Sequence, residues 1–264
     1  MPSARPSVYV FVRLPKTGGT SLSQMILDSR PGATLFGMPA SPDPDNPPPP
    51  IERLRAARSR TRVLLRRYRT VSLAKAWKHI DANARDGDLV FGHLRFGDPV
   101  LPSLHVNYFT LLREPLARIL SDYNYSRHGI GERNVIQRAY VRGRLKAAVK
   151  YSFSGYLSYL DEHTRGNANV MAGFVYGREK PSDPLAFLRA NYFHFGVLEQ
   201  FERFTDELGR KMGATIATRR DNVTPRREAT AISSADRPVF ERICGRDIAL
   251  YEATLAHLQA TARQ

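Results

Sequence analysis

The chain has 264 residues and carries 40 lysines and arginines against 25 aspartates and glutamates, a formal net charge of +15. This length suffices for one large α/β domain, and the charge predicts an anionic partner such as nucleic acid, a phosphorylated nucleotide, an acidic glycan or a membrane surface. The sole cysteine, Cys244, excludes an internal disulfide framework, and no Cys/His cluster has zinc spacing. No apolar stretch approaches the length of a membrane span and no signal-peptide pattern follows Met1, so we expect a cytoplasmic protein without a membrane segment.

The predicted elements alternate between strands and helices along the chain. An apolar, β-branched run at 8–14 predicts a buried strand, and apolar residues at helical spacing follow it. A proline-rich loop is predicted at 38–50 and an arginine-rich helical stretch at 51–85. The later predictions are strands at 87–93 and 106–113, a strand that runs into a helix at 192–212, and a closing helix at 236–262. This alternation predicts an α/β, three-layer fold in which helices flank a mostly parallel central sheet.

The stretch "LPKTGGTSL" at 14–22 joins the first strand to the first helix. Glycines allow a tight turn there, and consecutive N–H groups at a helix N-terminus form a concave anion site. A lysine adds a mobile charge and three hydroxyls add donors, although a turn with ordinary capping is the alternative. The Walker pattern GxxxxGK[ST] is not matched, because no Lys follows Gly19, which argues against a kinase or an ATPase. The predicted anion-binding residues are Lys16, Thr17, Gly18, Gly19, Thr20 and Ser21.

A second motif, "YFTLLREPLARILSDYNY", places Arg113 at the end of a predicted strand and Ser121 on the helix that follows. The carboxyl edge of a parallel sheet is the usual ligand crevice, and a guanidinium fork suits a phosphate dianion. Alternatively, Arg113 pairs with Glu114 or Asp122, and Ser121 is a packing residue. Arg118 and Asp122, at i and i+4, are expected to form a surface pair.

Together the two motifs resemble those of sulfotransferases that use 3′-phosphoadenosine 5′-phosphosulfate (PAPS), in particular the heparan-sulfate 2-O- and 6-O-sulfotransferase-like branch. The resemblance implies a P-loop-like fold in which the first loop cradles the 5′-phosphosulfate, while Arg113 and Ser121 bind the 3′-phosphate. It covers 8–27 and 87–125, and less closely 192–260.

The regions that the resemblance does not cover are expected to face the substrate. They are 28–86 and 126–165, interpreted as insertions in a single sulfotransferase domain that spans 1–264.

A third motif, "VFGHLRFG", puts His93 after a predicted strand, where members of the family carry a catalytic histidine. Imidazole titrates near neutrality and can remove the proton of an acceptor hydroxyl. A histidine at such a place is also often structural. His105, His128 and His194 are weaker candidates, and His194 is expected to lie in the core.

Three looser matches complete the resemblance. "HTRGNANVMAGF" resembles a family segment that carries an Asn, although Ala172 and Gly173 stand where an Arg is expected. "RRDNVTPRR" resembles the loop that closes over the nucleotide, with an exposed basic turn as its alternative. "GRDIALYEATLAHL" resembles a C-terminal family helix and is expected only to pack. The resulting candidates are Thr224, Arg226 and Arg227 for the nucleotide, and Arg66, Arg67, Arg95 and Asn167 for the substrate.

The sequence therefore predicts a bacterial, cytoplasmic O-sulfotransferase that moves a sulfuryl group from PAPS to a carbohydrate hydroxyl and releases 3′-phosphoadenosine 5′-phosphate (PAP). Lys16 and His93 are the expected catalytic residues, and no metal is expected. The alternatives are a protein-tyrosine sulfotransferase, a P-loop-type nucleotide kinase and a nucleic-acid-binding protein. The arginines of 53–69 suggest the last, but they lack interleaved aromatic residues, so a nucleic-acid partner is not expected.

Overall fold

A computed structural model describes residues 5–30, 33–37, 73–131, 144–164, 168–218 and 231–263. Within these ranges, strands alternate with one or more helices. The strands are β1 (Ser7–Val12), β2 (Leu35–Gly37), β3 (Leu89–Gly92), β4 (His105–Leu112) and β5 (His194–Val197). The helices are α1 (Gly19–Ser29), α2 (Leu73–Asn83), α3 (Pro115–Gly131), α4 (Arg144–Lys150), α5 (Phe153–His163), α6 (Val170–Val175), α7 (Pro184–Asn191), α8 (Phe201–Met212) and α9 (Arg237–Thr261), with a 3₁₀ turn at Leu198–Gln200.

The described strands form one all-parallel sheet in the order β2-β3-β1-β4-β5. The central strand β1 pairs with β3, where Val12 lies opposite Gly92, and with β4, where Phe11 lies opposite Phe109. From β1 the chain continues to the outer strand β2, and from β4 it continues to the outer strand β5 on the other side of the sheet. The loops that follow these two neighbours therefore diverge, and such a switch point is where open α/β sheets form a ligand crevice.

Helices cover both faces of the sheet, which confirms the predicted three-layer α/β architecture. On one face, Phe11 packs with α1 and with Phe204 of α8. On the other face, Val10 packs with Trp77 of α2, and Val12 packs with residues of α6, α7 and α9. Successive residues of β1 are thus buried on opposite faces, which explains why its sequence is a continuous apolar run.

A further core lies beside the sheet, among α3, α4, α5 and the first half of α9. Its buried members include Ile119, Tyr123, Ala148, Tyr156, Leu157, Phe240, Ile243 and Cys244. Cys244 is completely buried, and burial raises the pKa of its thiol to about 12. A thiol in such a setting is unreactive, in keeping with a packing role.

An ion pair joins this core to the helices above the sheet. Arg118 of α3 is buried, and its Nε lies 3.8 Å from Oδ2 of Asp247, which is also buried. The Asp247 carboxylate accepts hydrogen bonds from the N–H groups of Met171 (3.1 Å) and Ala172 (2.7 Å) at the start of α6. The expected surface pair of Arg118 with Asp122 is therefore wrong, because Arg118 points into the interior. The segment around Asp247 packs as predicted, and in addition it caps a helix.

Both predicted insertions contribute to the core wherever the structure describes them. The region 28–86 contributes the outer strand β2, which was not predicted, and helix α2, which lies in the stretch predicted as helical. Together they complete one side of the sheet. From 126–165, α4 and α5 form part of the helical core. The proline-rich segment 38–50 and most of the arginine-rich stretch lie outside the described residues.

Candidate functional site

Four parallel strands end at the same edge of the sheet, and each is followed by polar residues. Arg13 and Lys16 follow β1, His93 follows β3, Arg113 follows β4 and Glu199 follows β5. Parallel strands bring these loops together although up to 186 positions separate them in the chain (199 − 13). This edge is the candidate site.

The loop between β1 and α1 has an unusual backbone. Lys16 has a φ of 66° and is the non-glycine residue with positive φ among those described, while Gly18, with a φ of 76°, precedes the first turn of α1. A Cβ at Gly19 would lie 2.7 Å from Cγ of Arg13, so the glycine is required by the close approach of that side chain. In a turn of this kind at a helix N-terminus, backbone N–H groups can bind an anion.

The loop hydroxyls differ in what they can offer a ligand. Thr17 is fully buried, and its Oγ1 donates to the carbonyl of Leu14 at 3.1 Å. This hydroxyl is already used within the loop, so the predicted role of Thr17 in anion binding stays a prediction that depends on its backbone N–H. Thr20 is exposed and its Oγ1 accepts a hydrogen bond from Arg13 Nη2 at 2.7 Å, while Ser21 is half-buried in the first turn of α1.

Arg113 is joined directly to this loop. Its Nη1 donates to the carbonyl of Lys16 at 2.9 Å, so the end of β4 supports the anion loop from the side. The neighbouring Glu114 caps α3, since its carboxylate accepts hydrogen bonds from the N–H groups of Leu116 and Ala117. Ser121 lies two turns along α3 and is half-buried. The two sequence motifs thus meet in space.

The side chain of Lys16 extends from the loop to α3. Its Nζ is 3.5 Å from the centroid of the Tyr125 ring, a cation–π contact that the sequence did not reveal. Burial lowers the pKa of Lys16; the Asp122 carboxylate opposes this effect and the positive charge of Arg113 adds to it. The Lys16 ammonium is therefore acted on both by the negative charge of Asp122 and by the positive charge of Arg113.

His93 lies on the β3 side of the same edge. Its Nδ1 is 2.9 Å from the carbonyl oxygen of Arg13, and because a carbonyl only accepts, Nδ1 carries the proton in this contact. The lone pair of the neutral ring is then on Nε2. Burial lowers the pKa of His93, the charge of Arg13 lowers it further, and the hydrogen bond to the carbonyl opposes both. A half-buried neutral imidazole with one fixed nitrogen is suited to accept a proton.

Two of the other candidate histidines, His105 and His194, lie elsewhere. His105 is exposed at the start of β4. It therefore lies at the amino ends of the strands, away from the loops that form the candidate site, and cannot replace His93. His194 is buried as predicted and its Nε2 donates to the carbonyl of Phe204 at 3.0 Å. Arg95 is half-buried two residues after His93, and its backbone N–H donates to the carboxylate of Asp98 in a turn. Six candidates lie outside the described residues: Thr224, Arg226, Arg227, Arg66, Arg67 and Asn167.

Two residues of the site escaped the sequence analysis. Arg13 lies near the end of the run 8–14 that is predicted as a buried strand, and a charged residue in this otherwise apolar run is the available signal. Tyr125 is 51% exposed on α3, four residues after Ser121, and carried no signal that distinguished it from other surface tyrosines.

Metal-binding and membrane-spanning features were also sought in the described part of the chain. No group of three or more His, Cys, Asp or Glu side chains there could hold a metal ion. Among the described helices, none is both long and apolar enough to cross a membrane. In comparisons with known proteins, no family model matched the chain and no curated protein matched it.

Proposed function

We propose that the protein is an O-sulfotransferase that moves a sulfuryl group from PAPS to a hydroxyl of a carbohydrate acceptor. One observation carries the proposal: the Lys16 loop, Arg113 and His93 meet at the carboxyl edge of the sheet, where Arg113 donates directly to the carbonyl of Lys16. The arrangement joins an anion-binding loop, a guanidinium and a neutral imidazole, which are the groups that sulfuryl transfer between a phosphate and a hydroxyl requires.

The proposed donor site uses the loop after β1 and the start of α3. Backbone N–H groups of 17–21 and the Lys16 ammonium bind the 5′-phosphosulfate, while Arg113 and Ser121 bind the 3′-phosphate. The two positive charges support this assignment, because Arg113 lowers the pKa of Lys16 and a multiply charged anion between them relieves that repulsion. Thr224 and Arg226 are proposed to close over the nucleotide.

The proposed reaction is an in-line displacement at sulfur. The acceptor oxygen forms a new bond to sulfur as the bond between sulfur and the bridging phosphate oxygen breaks, which releases PAP. His93 Nε2 takes the hydroxyl proton and later returns it to solvent. Lys16 stabilises the negative charge that develops on the bridging oxygen.

The donor site is tested by comparing nucleotides in calorimetry. The protein should bind PAP more tightly than AMP or ATP, and Arg113→Ala should remove about 1.5–3 kcal/mol of that preference, as expected for a charge-assisted contact. Arg189→Ala removes an exposed arginine of α7 and should leave the preference unchanged. Equal affinity for AMP and PAP in the wild-type protein would exclude the proposed donor site.

The acceptor is tested with sulfur-labelled PAPS and a panel of glycans and tyrosine peptides. Label on a glycan supports the proposal, and an anionic glycan is favoured by the net charge of +15. Label confined to tyrosine peptides would replace the carbohydrate acceptor by a protein. Turnover of ATP without sulfuryl transfer would indicate a kinase instead.

A further inference from the structure

Arg13 makes contacts with both halves of the candidate site. Its carbonyl accepts the hydrogen bond from His93 Nδ1 at 2.9 Å, and its own N–H donates to the carbonyl of Gly92 at 3.2 Å. Its guanidinium donates from Nη2 to Thr20 Oγ1 at 2.7 Å. The same residue therefore touches the histidine that follows β3 and the first turn of α1.

We propose that Arg13 is a positioning residue that prepares His93 for proton abstraction: its carbonyl fixes Nδ1 and leaves Nε2 as the acceptor, and its guanidinium, anchored on Thr20, holds a positive charge in the same site. This inference rests on the proposed function, because it takes His93 as the base. It adds a residue to the site that none of the sequence motifs contains.

The guanidinium is held in place rather than free to move away. Its terminal nitrogen is bound to Thr20, and its aliphatic stem lies so close to Gly19 that a Cβ there would be 2.7 Å from Cγ and 3.2 Å from Cδ of Arg13. Part of its solvation is lost, since burial lowers the pKa of Arg13. A fixed, partly desolvated charge acts more strongly on its neighbours than a solvated one.

Phe174 and Arg13 both lie near the His93 ring. Helix α6 presents the uncharged ring of Phe174, edge-on with its centroid at 6.3 Å. Burial lowers the pKa of His93 and the positive charge of Arg13 lowers it further, while the hydrogen bond to the Arg13 carbonyl opposes both effects. A ring that stays neutral at physiological pH is available as a base in every molecule.

The first test needs no substrate. Nitrogen-15 imidazole spectra of the full chain should show neutral His93 with its proton on Nδ1, and should give its titration midpoint. In Arg13→Gln the midpoint should move upward, because one positive charge is lost while the carbonyl remains. Arg13→Lys keeps the charge and should restore most of the wild-type midpoint.

Two more variants make the test robust. Arg210→Gln, an exposed residue near the end of α8, removes the same charge and should leave the His93 midpoint in place. Thr20→Val releases the guanidinium without altering its charge, so the His93 midpoint should rise, but by less than in Arg13→Gln. This variant still tests the inference if Arg13→Gln fails to fold. A proton on Nε2, or a midpoint that stays unchanged when Arg13 or its anchor is altered, would overturn the inference.

The second test uses the reaction. The acid limb of kcat/KM should move to higher pH in Arg13→Gln, so that kcat/KM at the acid end falls by about two- to tenfold relative to its plateau. A merely structural role would lower kcat/KM at all pH values alike, which would overturn the inference. If the His93 midpoint responds to Arg13 but the chain does not bind PAP, the proposed function is contradicted while the inference about Arg13 stands. The two failures are therefore distinguishable.

Discussion

His93 is the residue whose removal should cost most activity. If Nε2 takes the acceptor proton, His93→Ala should lower kcat by about 10²–10⁴. PAP affinity and the free energy of unfolding should change little, because the ring is only half-buried and does not belong to the anion loop. His105→Ala is the matched control, since His105 lies at the far edge of the sheet. A folded His93→Ala with kcat on the order of the wild-type value would assign the base role to another group.

Lys16 combines a functional charge with a strained backbone. Its φ of 66° lies in the left-handed region, which disfavours residues with a Cβ. Lys16→Gly and Lys16→Ala both remove the ammonium and its contact with Tyr125, but only glycine relieves the strain. We expect Lys16→Gly to exceed Lys16→Ala by about 1 kcal/mol in free energy of unfolding, measured in urea, while both lose sulfuryl transfer. Equal stability of the two variants would show that the strain is negligible.

At this scale the sequence revealed positions better than contacts. Lys16 is predicted from the glycine-containing loop, Arg113 from its place at the end of a strand, and His93 from the family resemblance. All three follow predicted strands, and parallel strands bring such positions together. The sequence does not show that the Thr17 hydroxyl turns inward and donates to the carbonyl of Leu14. The place of Arg13 depends on the registry of β1 with β3, which adjacent residues in the sequence do not encode.

Among the elements, α3, α6 and α9 depend on one buried ion pair. Arg118→Met should leave the buried carboxylate of Asp247 without its partner, and the free energy of unfolding should fall by about 3–5 kcal/mol. Arg242→Met breaks the ion pair of α9 with Asp161 of α5, in which the Arg242 side chain is 58% exposed, and should cost about 1 kcal/mol or less.

A double variant separates the pair from simple packing loss. Arg118→Met combined with Asp247→Asn removes both charges, so it should be less destabilised than the sum of the two single changes. Chemical denaturation of the four proteins gives the comparison. Additive losses, or a loss in Arg118→Met no larger than that in Arg242→Met, would contradict the proposed role of the pair.

Elements with clear periodicity were predicted, and those that tertiary contacts stabilise were not. The buried strands β1, β3 and β4 and the long helix α9 were all found within a few residues of their bounds. Strand β2 is three residues long and lies at the sheet edge, so it has too few positions to show a period. Arg118 was assigned to the surface because helical spacing alone does not reveal which face of α3 meets α9.

For the molecule as a whole, the alternation of strands and helices was sufficient to predict a parallel three-layer fold, because parallel strands require crossover connections. The net charge of +15 indicated an anionic partner but not its chemistry. The structure restricts the choice of partner further, because the loops that follow four strands bring cationic side chains close to a neutral imidazole. The acceptor region could not be predicted, because 28–86 and 126–165 gave no pattern from which contacts follow.

Acid stability of the whole protein should depend on buried histidines. Burial lowers the pKa of His194 to about 4 from an ordinary value of 6.5, and the charges of Lys211 and Arg210 contribute. Below pH 6.5 the unfolded chain therefore takes up a proton that the folded chain does not, so stability is full above that pH and falls toward pH 4. The loss from this residue is at most about 3 kcal/mol.

His194→Gln tests this origin of the pH dependence, because glutamine keeps a donor for the carbonyl of Phe204 but does not titrate. The variant should be less stable than wild type at pH 7, since the ring stacks on Phe204 at 4.6 Å, and the difference should narrow as pH falls to 4. His105→Gln changes an exposed histidine and should retain the wild-type slope. His93 contributes in the same direction, so some slope should persist in His194→Gln. Urea unfolding between pH 7 and pH 4 measures all three proteins, and an unchanged slope in His194→Gln would mean that other groups cause the acid loss.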